Sequence, residues 1–305
     1  MIISALPAAE LDDRLQRGEL LLDIHPFVAR LRSDIPGLAN DLASMYQGFE
    51  VLPADRFADF HVAVTRERGP RHWIKPQARF HFDGRPSFIP LPLHQAFAML
   101  EWGLNWCVAA HSHQFLIIHA AVIEKGGRAV VLPAPPGSGK STLCSGLIQR
   151  GWRLLSDELG LYDMETGLIH GMARPVNLKN ASIQVIRAYA PDAVMTAPMP
   201  DTSKGTVCLM RPPAESVARR REAARPAWIV LPRYQRDAAP SMAHQGKART
   251  FMLLAEQSFN YDIQGAVGFQ AIGRLVEQCH CLEFTYSRLD DADQAFQALL
   301  AGEVG

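Results

Sequence analysis

Residues 128–150 read RAVVLPAPPGSGKSTLCSGLIQR, and this stretch decides how the rest of the chain is read. Residues 128–132 are an apolar, β-branched run that predicts a strand. The next nine, Ala134-Pro135-Pro136-Gly137-Ser138-Gly139-Lys140-Ser141-Thr142, follow the phosphate-loop pattern. That pattern needs small residues so that backbone N–H groups can close around phosphate oxygens at a helix N-terminus. Ala134 stands where the pattern has its first glycine. A negative φ there would be tolerable, because Gly137 and Gly139 still supply the tight inner turn. Lys140 would bring a point charge to the β- and γ-phosphates of a nucleotide such as ATP, and the Ser141 hydroxyl could ligate Mg²⁺. Residues 141–150 have helical character, and Gly151 sits where a C-cap glycine belongs.

Upstream of this stretch, FLIIH and AAVIE are short β-rich runs, joined to the loop's strand by a Gly126-Gly127 turn. Downstream, WRLLS is a strand ending in Asp157-Glu158, and LGLYD pairs with LIHGM across residues 164–167. Strands are expected at 206–210 and 227–231, with helices at 181–189, 247–257, 266–280 and 292–300. Residues 191–204 carry three prolines and few periodic apolar positions, which predicts a long mobile loop. Strands alternating with helices around a nucleotide motif give an α/β core. The first ~110 residues mix short apolar runs with the breakers Pro70, Pro76, Pro86, Pro90 and Pro92. They read as an α+β unit with strands such as 60–64 and 79–82. A helix over 94–110 repeats Phe97, Leu100, Leu104 and Cys107 at helical spacing and is apolar on nearly all sides, so it belongs between the two halves. Trp102, Trp106 and Cys107 are read as its packing residues. The division is residues 1–112 and 113–305.

Of 305 residues, 48% are hydrophobic and 20% charged, the profile of an ordinary globular chain. Lys+Arg and Asp+Glu are 31 each, so a broad electrostatic grip on nucleic acid or an anionic membrane is not expected. There is no apolar run of spanning length, and the N-terminus turns acidic at Glu10, Asp12 and Asp13 rather than reading as a secretory signal, so a cytoplasmic protein is expected. The five cysteines, Cys107, Cys144, Cys208, Cys279 and Cys281, contain no C-x-x-C and read as reduced thiols. A metal site on Cys279-His280-Cys281 is the alternative.

A phosphate loop alone implies nucleotide binding. Phosphoryl transfer also needs a metal ligand and a carboxylate near the γ-phosphate to orient or deprotonate the acceptor. Asp157-Glu158 is the candidate: one helix and one strand after the loop, the chain returns to the same sheet edge, and at a strand's end both side chains can serve one site. The other reading is a solvated acidic turn. His119 interrupts the run FLIIHAAVI and is either a satisfied core histidine or part of the site. Lys204 could reach a phosphate or be an exposed loop lysine. Arg219-Arg220-Arg221 reads as a solvated basic face or a dock for an acidic peptide. Phe259-Asn260-Tyr261-Asp262 could line a nucleotide base.

His119, GSGKS and GWRLLSDE, in this order, resemble the catalytic domain of bacterial HPr kinase/phosphorylase. The match runs from about Phe115 to Asn177. EWGLNW (101–106), HAAVIE, PGSGKSTL, GWRLLSDEL and SKGTV (203–207) resemble, over essentially the whole chain, a set of HPr-kinase-related proteins found beside peptide-modification genes. The resemblance implies a P-loop core of the HPr kinase/phosphoenolpyruvate carboxykinase type, with Lys140, Asp157, Glu158 and His119 as catalytic residues. It implies ATP and Mg²⁺, the ion held by Ser141 and Asp157. Oligomers of HPr kinases imply a homo-oligomer, and the gene neighbourhood implies a ribosomally made precursor peptide carried by a small chaperone. Glu158 stands where that family has its proton-transferring aspartate, and Met172 where it has a magnesium-binding glutamate. Arg174 matches a family arginine and is expected near phosphate. These departures point away from HPr as acceptor and from phosphorolysis. The expectation is therefore an ATP-dependent kinase for a Ser or Thr hydroxyl of a protein or peptide, with the N-terminal unit recognising the acceptor. A non-catalytic ATP-binding regulator and a small-molecule kinase are the alternatives.

Overall fold

The computed structural model describes residues 1–69, 74–135 and 137–302. Pro70 and Pro136, both named above, lie outside the described residues. The chain is a mixed α/β protein built on three sheets, with parallel and antiparallel pairs in the two larger ones.

The first sheet takes Leu20–Asp23, Val28–Ser33, Phe60–Arg66 and Gln77–Phe82. Its one parallel step, Val28–Ser33 against Phe60–Arg66, is bridged by the helix Leu38–Met45. Alternate residues of Phe60–Arg66 are buried, as a sheet with one covered face requires. The helix Ala96–His111 covers that face. Phe97, Leu100, Leu104 and Cys107 are all buried, as their spacing predicts. One contiguous core holds this helix and the first sheet together with Ile117, Leu159, Leu161, Met172 and Leu209 from the second half.

The second sheet is centred on the strand Phe115–Lys125, which turns at Gly126-Gly127 into Arg128–Pro133. Arg128–Pro133 is followed in the sheet by Arg225–Tyr234 and His280–Tyr286, each pair parallel. FLIIH and AAVIE are one continuous strand because its two halves pair with different neighbours. The helices Lys140–Ile148 and Leu289–Ala301 pack on one face of this sheet, and Tyr261–Gln278 on the other. The third sheet is antiparallel: Val176–Lys179, Gly205–Met210 and Met199–Thr202.

Three expectations are corrected. Residues 191–204 are not one loop, since Met199–Thr202 pairs with Gly205–Met210 and Met195 bridges Met210. Pro200 is accommodated because this is an edge strand, where a missing N–H breaks no ladder. The helix expected to end at His280 begins earlier, at Tyr261, and gives way to a strand at His280. Strand alternation buries Cys279 and Cys281 while exposing His280, so no metal site forms there. The arginine run is solvated only in part, at Arg221, and its guanidinium groups are already paired rather than free to dock a peptide. Arg220 and Arg221 pair with Asp23 and Glu50 of the first sheet, and Arg219 with Glu124, Glu215 and Glu222.

Candidate active site

Strand register brings the sequence motifs to one place. Within Phe115–Lys125 the partner changes between two adjacent residues: His119 lies opposite Leu159, and Ala120 opposite Pro133. Leu159 follows Glu158, and Pro133 leads into the glycine loop, so His119 stands beside both. Asp157 and Glu158 form the link between Arg153–Ser156 and Leu159–Asp163, two strands that pair with different parts of Phe115–Lys125. The acidic pair therefore sits at a strand end.

The loop itself is shaped by its glycines. Gly137 and Gly139 have φ of 88° and 90°, whereas Ala134 lies outside the left-handed region and is buried. Gly139 also has no room for a side chain, because a Cβ would lie 2.5 Å from the Tyr286 hydroxyl and 2.9 Å from Tyr234 Cβ. The Tyr286 hydroxyl donates to the Gly139 carbonyl at 2.9 Å, and the Tyr234 N–H to the Ser138 carbonyl at 3.0 Å. Two strands thus brace the loop where Lys140 opens the helix Lys140–Ile148. Ser141 and Thr142 are half-buried on the first turn, and neither hydroxyl bonds to the acidic pair among the described residues.

Charge is concentrated and partly unanswered. Lys140 is buried, and its Nζ has no hydrogen-bond partner among the described residues. The same holds for Ser138 Oγ, Asp157 Oδ1 and both amide atoms of Asn177. Such atoms are costly to leave unmade in a folded protein, and together they outline a polar ligand. Burial lowers the Lys140 ammonium, against the pull of Asp157 and Glu158. Burial raises Asp157 to about 6, with Lys140 opposing and Glu158 assisting. Its Oδ2 accepts the Asn177 N–H at 3.1 Å. Burial also works to raise Glu158, but the nearby ammonium groups of Lys204, Lys179 and Lys140 outweigh it, and the net direction is down. His119 is lowered by burial and by Lys140, which keeps the ring neutral at pH 7. The ring's Nδ1 lies 3.2 Å from Gln257 Oε1. Between the acidic pair, Met172, Arg174 and Asn177 lies a cleft of about 20 Å³, room for one water or a small cation.

Lys140, Asp157, Glu158 and His119 are thus brought within electrostatic reach of one another. Arg174 lines the same cleft as the acidic pair, and its Nε and Nη1 have no hydrogen-bond partner among the described residues. It is buried, donates to the Asn105 carbonyl oxygen and lies 3.5 Å from Glu101. Met172 is buried, and no group of three or more His, Cys, Asp or Glu side chains suited to a metal occurs among the described residues. Metal binding at Ser141 and Asp157 would accordingly lean on phosphate oxygens, and the unpartnered Asp157 Oδ1 suits that role. Phe259 packs on His119 at 5.6 Å, and Asn260 braces Phe115 and Ile117.

Three features escaped the sequence reading. Lys179 ends a strand whose pairing with Gly205–Met210 only the fold reveals. Trp102 is not simply a packing residue, since it lines the cleft with Lys204 Nζ 5.1 Å over its ring. Asn105, which donates to Glu158 at 3.1 Å, carried a signal: it is a polar residue four after Glu101 in an otherwise apolar helix. No family model matches the chain, and no curated protein matches it.

Proposed function

We propose that the chain is an ATP-dependent kinase of the HPr-kinase-like class, with a P-loop core, acting on a Ser or Thr hydroxyl of a protein or peptide other than HPr. The observation that carries the reading is the unpartnered, buried Lys140 ammonium at the mouth of a glycine loop, beside two carboxylates whose protonation tendencies diverge. Backbone N–H groups of the loop and Lys140 would hold the β- and γ-phosphates. Ser141 and Asp157 would hold Mg²⁺, which when bound supplies further neutralisation of phosphate charge. Glu158, kept ionised by the surrounding lysines, takes the proton from the acceptor hydroxyl. The hydroxyl oxygen bonds to the γ-phosphorus as its bond to the bridging oxygen breaks, and ADP leaves. A neutral His119 lines the acceptor side; charge on the phosphoryl group falls to the lysines.

The test is incubation of the purified protein with Mg²⁺, γ-labelled ATP and source-cell lysate, alongside Lys140→Ala and Glu158→Gln. A labelled acceptor that disappears with both variants supports transfer. The buried Met172 and the missing third carboxylate favour one second reading, an ATP-binding regulator. Tight ATP·Mg binding with no labelled product, and variants differing only in affinity, would establish that reading instead.

A further inference from the structure

A row of polar side chains runs through the interior from the first sheet's helical layer to the acidic pair. The Tyr46 hydroxyl donates to Glu101 Oε1 at 2.5 Å, and Glu101 Oε2 lies 3.5 Å from Arg174 Nη1. Arg174 Nη2 donates to Asn105 Oδ1, and Asn105 Nδ2 donates to Glu158 Oε2 at 3.1 Å. Tyr46, Glu101 and Arg174 are buried, and Asn105 is half-buried.

The direction of this row is fixed by chemistry. A guanidinium has donors only, so the Asn105 carbonyl must face Arg174. The amide N–H group is then committed to Glu158. Turning the amide over would set donor against donor at Arg174 and acceptor against carboxylate at Glu158. Glu101 balances the buried guanidinium and is itself held by Tyr46.

We propose that Asn105, oriented by Arg174, is a positioning residue that ties down Glu158 Oε2 and leaves Oε1 aimed at the acceptor hydroxyl as the proton acceptor. The catalytic role rests on the kinase reading; the direction of the row does not. Other titratable groups also face Glu158: His119 on the strand Phe115–Lys125, Lys140 on the loop helix, Lys179 and Lys204 on the third sheet, and neighbouring Asp157. The experiment must therefore separate the amide from this background.

Protein carrying ¹⁵N-labelled asparagine is followed by NMR, the Asn105 side-chain N–H pair being assigned with Asn105→Leu. One N–H is committed to Glu158 Oε2, so in the wild type it should exchange with solvent about tenfold more slowly than a free amide. Glu158→Gln and Arg174→Met should each shift that resonance and speed its exchange, the first by removing the acceptor and the second by freeing the amide to turn. An Asn105 amide that exchanges freely in the wild type, or a resonance that neither variant moves, overturns the proposal. Should the variants fold poorly, the wild-type exchange rate alone decides whether the amide is held. In the transfer assay Asn105→Leu lowers kcat with little change in KM for ATP. A wild type that transfers nothing defeats the kinase reading alone, and the amide exchange still decides the direction of the row.

Discussion

Asp157 and Glu158 are adjacent in sequence, yet their surroundings push their protons in opposite directions. Asp157, buried and raised to about 6, binds a proton more readily in the folded chain than in the unfolded one. The stability Asp157 contributes is therefore fully present below the unfolded value near 3.8 and is lost as pH rises through about 6. Asp157→Asn removes the buried charge and keeps an acceptor for the Asn177 N–H. It should stabilise the protein by about 1–3 kcal/mol at pH 8 and by almost nothing near pH 4, measured by urea denaturation at both. A gain that is equal at the two pH values would rule out desolvation of this carboxylate as its cause. Lys140 follows the same logic with the opposite charge. Its unpartnered ammonium favours the neutral form, so Lys140→Met should stabilise nucleotide-free protein by roughly 1 kcal/mol and raise its melting temperature. Wild type should gain stability from ATP·Mg and the variant should not, read by thermal melts with and without nucleotide. At this scale Lys140, Asp157 and His119 are legible because local spacing carries them. Lys179 converges on Glu158 through tertiary pairing, which no local pattern encodes, whereas Lys204 and Asn105 stand out in the sequence but only the fold aims them at that carboxylate.

Among the elements, the helix Ala96–His111 shows how packing overrides propensity. Gly103 is buried in its middle, and a Cβ built there would overlap the Phe80 ring of the strand Gln77–Phe82. Helix propensity alone would favour Gly103→Ala by about 1 kcal/mol. Because the ring has no space to yield, the substitution should instead destabilise by about 1–3 kcal/mol, and Gly103→Ala with Phe80→Leu should cost less than the two changes summed. Chemical denaturation of the cycle checks this, and a stabilised Gly103→Ala would mean the helix sits farther from the sheet. Most elements of the second half are readable from period and turn chemistry: the Gly126-Gly127 hairpin, the helix Ala181–Tyr189 and the strands around Asp157-Glu158 lie where the pattern puts them. Met199–Thr202 was hidden by its prolines. His280–Tyr286 was partly masked by the helical periodicity running into it, and its parallel pairing with Arg225–Tyr234 is a long-range contact. The first sheet's parallel step was illegible for the same reason, since a crossover joins strands that share no local signal.

Over the whole molecule, the first 112 residues and the remainder share a hydrophobic core and a seam of charge. The core runs from Leu22 and Phe80 through Leu104 to Ile117, Leu161 and Leu209, so unfolding by urea should show one transition by both tryptophan fluorescence and far-ultraviolet circular dichroism. The seam places Asp23, almost wholly buried, against Arg220 at 2.8 Å and Arg221 at 2.6 Å, with Glu50 beside them. Burial works to raise Asp23, but Arg221, the His25 N–H and Arg220 together outweigh it and hold the carboxyl below its ordinary value of 3.8. A lowered carboxyl gives stability that is present above the unfolded value and is lost as pH falls through the folded one. Asp23→Asn should accordingly cost about 1–3 kcal/mol at pH 7, because it leaves the mostly buried Arg220 short of its counter-charge. The cost should shrink as pH falls below 3.8 and through the folded-state value, because wild-type Asp23 loses its own charge there. Arg221→Ala is the internal comparison: that side chain is 62% exposed, and its loss should cost under about 1 kcal/mol. Urea denaturation of the three proteins at pH 7 and pH 3 separates these expectations. A cost for Asp23→Asn that does not vary with pH would mean that packing, rather than the ion pair, joins the first sheet to the arginine run.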